Sequence, residues 1–105
     1  MFMRAIHPGQ ALKDEIDALG VSPTAFALQI AVPPNRVSQI IAGERGVTGD
    51  TALRLGHWFG TEPRFWLALQ AQYELAQAAR ETGAAIRNLP TRGSVPMPSE
   101  QPSLV

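Results

Sequence analysis

The chain has 105 residues, with nine Lys and Arg against nine Asp and Glu, so its formal net charge is zero. That length suits a single domain, and an apolar content of 45% excludes disorder throughout. The absence of cysteine excludes disulfides, iron–sulfur clusters and cysteine-ligated zinc, while zero net charge gives no electrostatic pointer toward nucleic acid.

The first eight residues lack the apolar core of a signal peptide, and no stretch approaches the 18 or more apolar residues of a membrane span. A cytoplasmic protein without membrane attachment is the expectation. Pro, Gly, Ser and Thr then punctuate residues 8–82 into five helical segments, with no strand alternation. The first follows His7-Pro8-Gly9 and carries Leu12, Ile16 and Leu19 as an apolar stripe up to Gly20. The second, Ser22 to Ile30, opens with Ser22 as N-cap and Pro23 in the first turn, and buries Phe26, Ala27 and Ile30. Pro33 and Pro34 disfavour helix for the residue before each, so the third segment spans Pro34 to Ala42, with Val37, Ile40 and Ile41 inward.

After the loop Gly43–Val47, Thr48 is placed to cap the fourth segment, and Asp50 sits at the positive end of its dipole. Ala52, Leu53, Leu55, Trp58 and Phe59 follow up to Gly60. The fifth segment opens at Thr61-Glu62-Pro63 and runs to about Gly83. Phe65, Trp66, Leu69, Tyr73 and Ala76 form one apolar stripe on it, expected to pack on the domain. Leu67, Ala71, Leu75 and Ala78 form a second on nearly the opposite side. A surface helix of a monomer shows one apolar face, so the second stripe is read as a homodimer interface. Residues 1–83 thus form the domain. Residues 84–105, with Pro90, Pro96, Pro98 and Pro102 among Ser and Gly, read as a disordered tail.

The pair Ser22–Ile30 and Pro34–Ala42 has the short connection of a DNA-binding helix-turn-helix. At about 100° per residue, Asn35, Gln39 and Ala42 lie opposite the apolar stripe of the second helix, flanked by Arg36 and Ser38. Asn and Gln pair bidentately with adenine, Arg with guanine, and Ser with several base edges. Arg45, in the loop beyond, suits a backbone phosphate. The pattern alone also fits a plain helical bundle with two short helices. Other features read blandly. His7 and His57 are 50 positions apart and make a poor metal site. Trp58, Phe59, Phe65 and Trp66 read as core aromatics, and Gly43–Gly46 lacks the Lys of a phosphate loop. Asp14-Glu15-Asp17 is a solvated face or a contact for a basic partner. No base–nucleophile pair or cofactor motif is present, so neither an enzyme nor a cofactor is expected.

Four runs, in order, carry a resemblance. They are His7-Pro8-Gly9, the stretch from Val32-Pro33 through Arg36, Ile40, Gly43 and Arg45 to Thr48, Asp50-Thr51-Ala52-Leu53-Arg54-Leu55, and Phe59-Gly60-Thr61-Glu62-Pro63-Arg64-Phe65-Trp66-Leu67-Ala68-Leu69-Gln70. Over residues 7–75 the chain resembles HigA-type antitoxins of the Xre, lambda-repressor-like family. The resemblance implies an all-α, five-helix lambda-repressor-like helix-turn-helix domain that represses its own operon at palindromic operator DNA and neutralises a RelE-like ribonuclease toxin. The alternatives are a stand-alone Xre-type regulator and a toxin-binding module with little DNA binding. Pro34, Ala42 and Glu44 stand where family members often carry basic residues, which implies fewer phosphate contacts. At Ala31 many helix-turn-helix proteins place Gly, and a left-handed Ala there costs about 1 kcal/mol.

Overall fold

The computed structural model describes residues 5–94. It contains α1 (Pro8–Leu19), α2 (Pro23–Gln29), α3 (Arg36–Ile41), α4 (Gly49–Phe59) and α5 (Pro63–Arg87), with no strand among the described residues. The architecture is the expected all-α one. Three of the helices start on a side chain that accepts from an otherwise orphaned backbone N–H. His7 Nδ1 accepts from the Gly9 N–H at 2.9 Å, Ser22 Oγ from Ala25 at 3.1 Å, and Thr48 Oγ1 from Thr51 at 3.3 Å. Pro8, Pro23 and Pro63 occupy first-turn positions, where no N–H is needed.

Two boundaries differ from the sequence expectation. The third helix begins at Arg36 rather than Pro34, with the Gln39 N–H donating to the Asn35 carbonyl at 3.0 Å. Pro34 and Asn35 form a turn instead, closed by the Arg36 N–H donating to the Pro33 carbonyl at 2.9 Å. The fifth helix crosses the expected end at Gly83 and continues to Arg87. A single glycine costs a helix interior about 1 kcal/mol, and Ala78, Ala79, Ala84 and Ala85 around it are the best helix formers. Residues 84–87, assigned to the tail, are therefore helical, and residues 95–105 of that expected tail lie outside the described ones.

The core takes Leu12 and Ile16 from α1, Phe26, Ala27 and Ile30 from α2, Val37 and Ile40 from α3, Ala52 and Leu55 from α4, and Trp66 from α5. Val32 and Val47, in the connections, complete it. Helices α1 and α3 meet at backbone distance: a β-carbon on Gly9 would overlap the Ile40 carbonyl. Phe59 bridges the aromatic residues, with its ring centroid 5.7 Å from those of both Phe26 and Trp66. Trp66 is buried, and its indole N–H is the one buried side-chain polar atom left without a partner among the described residues. Several residues assigned inward lie at the surface instead. Leu19 and Phe65 are about half exposed, and Leu53 and Trp58 also face solvent. They sit at the ends or outer edges of their stripes, and Trp58 keeps one side on Phe26 of α2, at a centroid distance of 5.1 Å.

The connection between α2 and α3 holds the main backbone strain. Ala31 is the only non-glycine residue with positive φ among those described, at 58°. The Ala31 N–H donates to Leu28 at 3.2 Å and the Val32 N–H to Ala27 at 3.1 Å, closing α2 in a Schellman turn. Arg54 of α4 secures it from outside, donating from Nη1 to the Ile30 carbonyl at 2.9 Å and the Ala31 carbonyl at 3.3 Å. Its Nε donates to Asp50 Oδ2 at 2.9 Å. Because an L-residue in this region costs about 1 kcal/mol relative to glycine, Ala31→Gly is expected to stabilise the protein by up to about that amount. Urea denaturation measures it, and a destabilised variant contradicts the strain argument.

Candidate nucleic-acid interface

The first two residues of the polar face, Asn35 and Arg36, open α3. Asn35 is the N-cap of α3, at φ −92° and ψ 0°, yet its side chain makes no capping hydrogen bond. An Asn at this position normally satisfies a backbone N–H of the first turn and contributes about 1 kcal/mol. Here its amide makes no hydrogen bond among the described residues. Ser38 is exposed and Arg36 half-buried, and neither makes a side-chain hydrogen bond among the described residues. The two ion pairs there, Lys13–Asp17 and Arg54–Asp50, leave Arg36 and Arg45 without acidic partners. Val37 and Ile40, fully buried on the other side, fix the rotation of the helix and so the direction of this face.

Gln39 and Arg45 are joined. Arg45 Nε donates to Gln39 Oε1 at 3.0 Å, six residues apart. Sequence reasoning placed both at the interface but treated them as independent, because nothing in the pattern shows that the loop turns back. Two supporting residues were also missed. Gln70 of α5 accepts from the Val47 N–H at 2.8 Å and so holds the far end of that loop. Arg54 fixes the α2–α3 turn as described. Both belong to the quoted runs, but their partners lie 23 and 24 positions away, a distance that no local periodicity encodes.

The stripe of Leu67, Ala71, Leu75 and Ala78 is exposed on α5, Leu75 at 71%. Its counterpart packs inward, with Trp66 buried and Leu69 against the core. Tyr73 meets His7 edge to face at a centroid distance of 4.8 Å. Beyond Leu75 the helix extends the outer stripe by Ile86, also exposed. No group of acidic or histidine side chains among the described residues is arranged to hold a metal ion. No helix of the described residues is long and apolar enough to cross a membrane.

No family model matches the chain. The virulence-associated protein I of Dichelobacter nodosus is 41% identical over 80 residues, covering 75% of this chain and 74% of that one. The solved structure of an addiction module antidote protein of the HigA family from Coxiella burnetii is 44% identical, covers 85% of this chain and 98% of that one, and superposes with a TM-score of 0.82. The chain belongs to the HigA antitoxin family. A further HigA relative, the Pseudomonas aeruginosa antitoxin solved with the higBA promoter, is 38% identical and covers 85% of this chain and 98% of that one, at a TM-score of 0.80. In this HigA-family chain the helix-turn-helix is the pair α2 and α3.

The start of α1 supports α3 through the Gly9–Ile40 approach, and its cap depends on protonation. His7 Nδ1 accepts from Gly9 only while unprotonated, and burial holds the His7 imidazole below its ordinary pKa. The unfolded chain then binds a proton, at about pH 6.5, before the folded one does. Stability present above that pH is lost as the pH falls through the folded value. Thermal melts at pH 7.5 and 5.5 should show the wild type weakened at the lower pH. The difference should shrink in His7→Asn, which retains a capping acceptor but does not titrate. A wild type equally stable at both pH values would contradict this role.

Proposed function

We propose that this HigA-family chain is the antitoxin of a type II toxin–antitoxin pair, which binds palindromic operator DNA as a two-fold dimer and represses its own operon. In the same reading it neutralises a RelE-like ribonuclease toxin encoded beside it. The observation that carries the DNA half is the polar face of α3: Asn35, Arg36 and Ser38 make no side-chain hydrogen bond among the described residues, and their helix is rotationally fixed by Val37 and Ile40. The solved structure of the Pseudomonas aeruginosa relative with the higBA promoter supports DNA binding by this chain. The dimer is supported by the unpartnered α5 stripe of Leu67, Ala71, Leu75 and Ala78, since apolar rows of this kind on a helix mark an interaction face. For the toxin, the exposed carboxylates Asp14 and Glu15 of α1 offer an acidic surface to a basic partner.

A module that binds toxin and little DNA is the second reading, favoured by the few cations around α3. A gel shift on the DNA upstream of the gene decides between the two. Half-site centres should lie about 10 base pairs, one duplex turn, apart. Replacing Asn35 and Ser38 together by Ala should weaken the preferred site by about 1–3 kcal/mol per lost base contact while leaving non-specific binding unchanged. Retention of full operator preference after Gln39 is also replaced by Ala would remove α3 as the reader. Leu75→Glu should give a folded monomer by analytical ultracentrifugation, and a wild type already monomeric at about tens of micromolar would sink the dimer. Co-expression should rescue cells arrested by the small neighbouring gene, and a harmless neighbour would leave the antitoxin role without a target.

A further inference from the structure

We infer that Arg45 and Gln39 act as one base-reading unit, in which Arg45 orients the Gln39 amide and makes donors predominate, so that the pair selects guanine rather than adenine. The inference rests on α3 being the reader proposed above and specifies which base one position takes. The local backbone brings the two residues together. Gly43 adopts φ 78°, its N–H donates to the Ile40 carbonyl at 3.0 Å, and the Glu44 N–H donates to the Gln39 carbonyl at 2.9 Å. This Schellman turn folds the chain back over the last turn of α3 and sets residue 45 beside residue 39.

The other end of the loop is anchored. Gln70 Oε1 accepts from the Val47 N–H, and Gln70 Nε2 donates to Glu74 Oε2 at 2.8 Å, so the anchor is itself held. Gly46 lies against it: a β-carbon there would sit 2.8 Å from Gln70 Oε1. The short loop is thus pinned at both ends, and Arg45 reaches Gln39 without first having to order the backbone.

The chemistry of the pair follows from donor and acceptor inventories. A guanidinium only donates, so the atom of Gln39 that faces Arg45 is the carbonyl oxygen. The amide NH2, on the other limb of the planar group, is left to bind elsewhere. A free Gln matches adenine because it accepts from N6 while donating to N7. Arg45 takes one lone pair of the Gln39 oxygen, and its cationic N–H groups beside that oxygen oppose a second donor there, such as the adenine N6 group. The Gln39 NH2 and the remaining Arg45 N–H groups supply donors. Guanine presents two adjacent acceptors, N7 and O6, in the major groove, whereas adenine presents one acceptor and one donor. A unit in which donors predominate therefore matches guanine and sets cationic N–H groups against the adenine N6 group. The ordering of both long side chains before DNA arrives also lowers the entropy lost on binding.

The test uses the full-length chain and a randomised duplex library, from which wild-type protein, Gln39→Ala and Arg45→Ala each select sites. Single 7-deazaguanine substitutions in the wild-type site, read by fluorescence anisotropy, then locate guanines whose N7 is contacted. One guanine per half-site should weaken wild-type binding by about tenfold when so replaced. Gln39→Ala should lose preference and 7-deaza sensitivity at that base pair. Arg45→Ala, which frees the Gln39 amide, should shift the preference from guanine toward adenine, and the double variant should bind no worse than the weaker single one. The inference is overturned if Arg45→Ala keeps the wild-type preference and weakens all sequences alike, as a phosphate contact would. It is also overturned if the base pair relaxed by Gln39→Ala is adenine–thymine. A wild type that selects no sequence removes the proposed DNA function and this pairing with it, whereas the other two failures leave that function standing.

Discussion

The Arg54 guanidinium at the end of α2 is the contact on which the arrangement of α2 and α3 depends. It reaches from α4 to the carbonyls of Ile30 and Ala31, the groups that a helix C-terminus leaves unpaired. Ala31 must reverse the chain in a left-handed conformation there, a choice that an L-residue resists. Two backbone hydrogen bonds and a charged donor hold it, and a charged donor strengthens such a bond roughly twofold. The angle at which α3 leaves the domain is set by that reversal. Asp50 keeps the guanidinium directed by accepting from its Nε, so a pair that reads as a surface i,i+4 ion pair also stabilises a turn in another part of the chain.

A second constraint comes from α1 and α5, which flank α3 and its loop. Gly9 lets α1 approach the Ile40 carbonyl at backbone distance, and the His7 cap and the His7–Tyr73 contact join that end of α1 to α5. From α5, Gln70 fixes the loop after α3. The polar face of α3 and the loop after it are therefore built on packed helices and pinned backbone, with the polar side chains directed outward by buried Val37 and Ile40. Specific recognition needs such rigidity more than it needs net charge, because cations add affinity that is largely blind to sequence. A chain with zero net charge is compatible with this design.

The most legible parts of the sequence were those with local causes. Ser22 and Thr48 act as the caps their positions imply, and Gly20, Gly43 and Gly60 all take positive φ at helix ends. The inward face of α3 follows from spacing, and so does the exposure of Asn35 and Ser38 opposite or beside it. The last turn of α5 did not follow, because Gly83 was read as a stop while the alanines around it sustain the helix. Phe65 and Trp58 were read as core, but an aromatic at the outer edge of a stripe has no fixed burial until the neighbouring helix is placed.

Periodicity, caps and breakers thus determined the five helices, the helix-turn-helix pair and the polar face of α3, because each depends on residues within a few positions of one another. The tertiary structure decided which polar residues meet. Arg54 stabilises a turn 23 positions away, Gln70 holds a loop at the same separation, and the fold-back at Gly43 joins Arg45 to Gln39. A side chain's donors and acceptors are known from its identity, but which of them are already used depends on what packing brings within about 3 Å. That difference separates Asn35, whose amide makes no hydrogen bond among the described residues, from Gln39, whose oxygen accepts from Arg45.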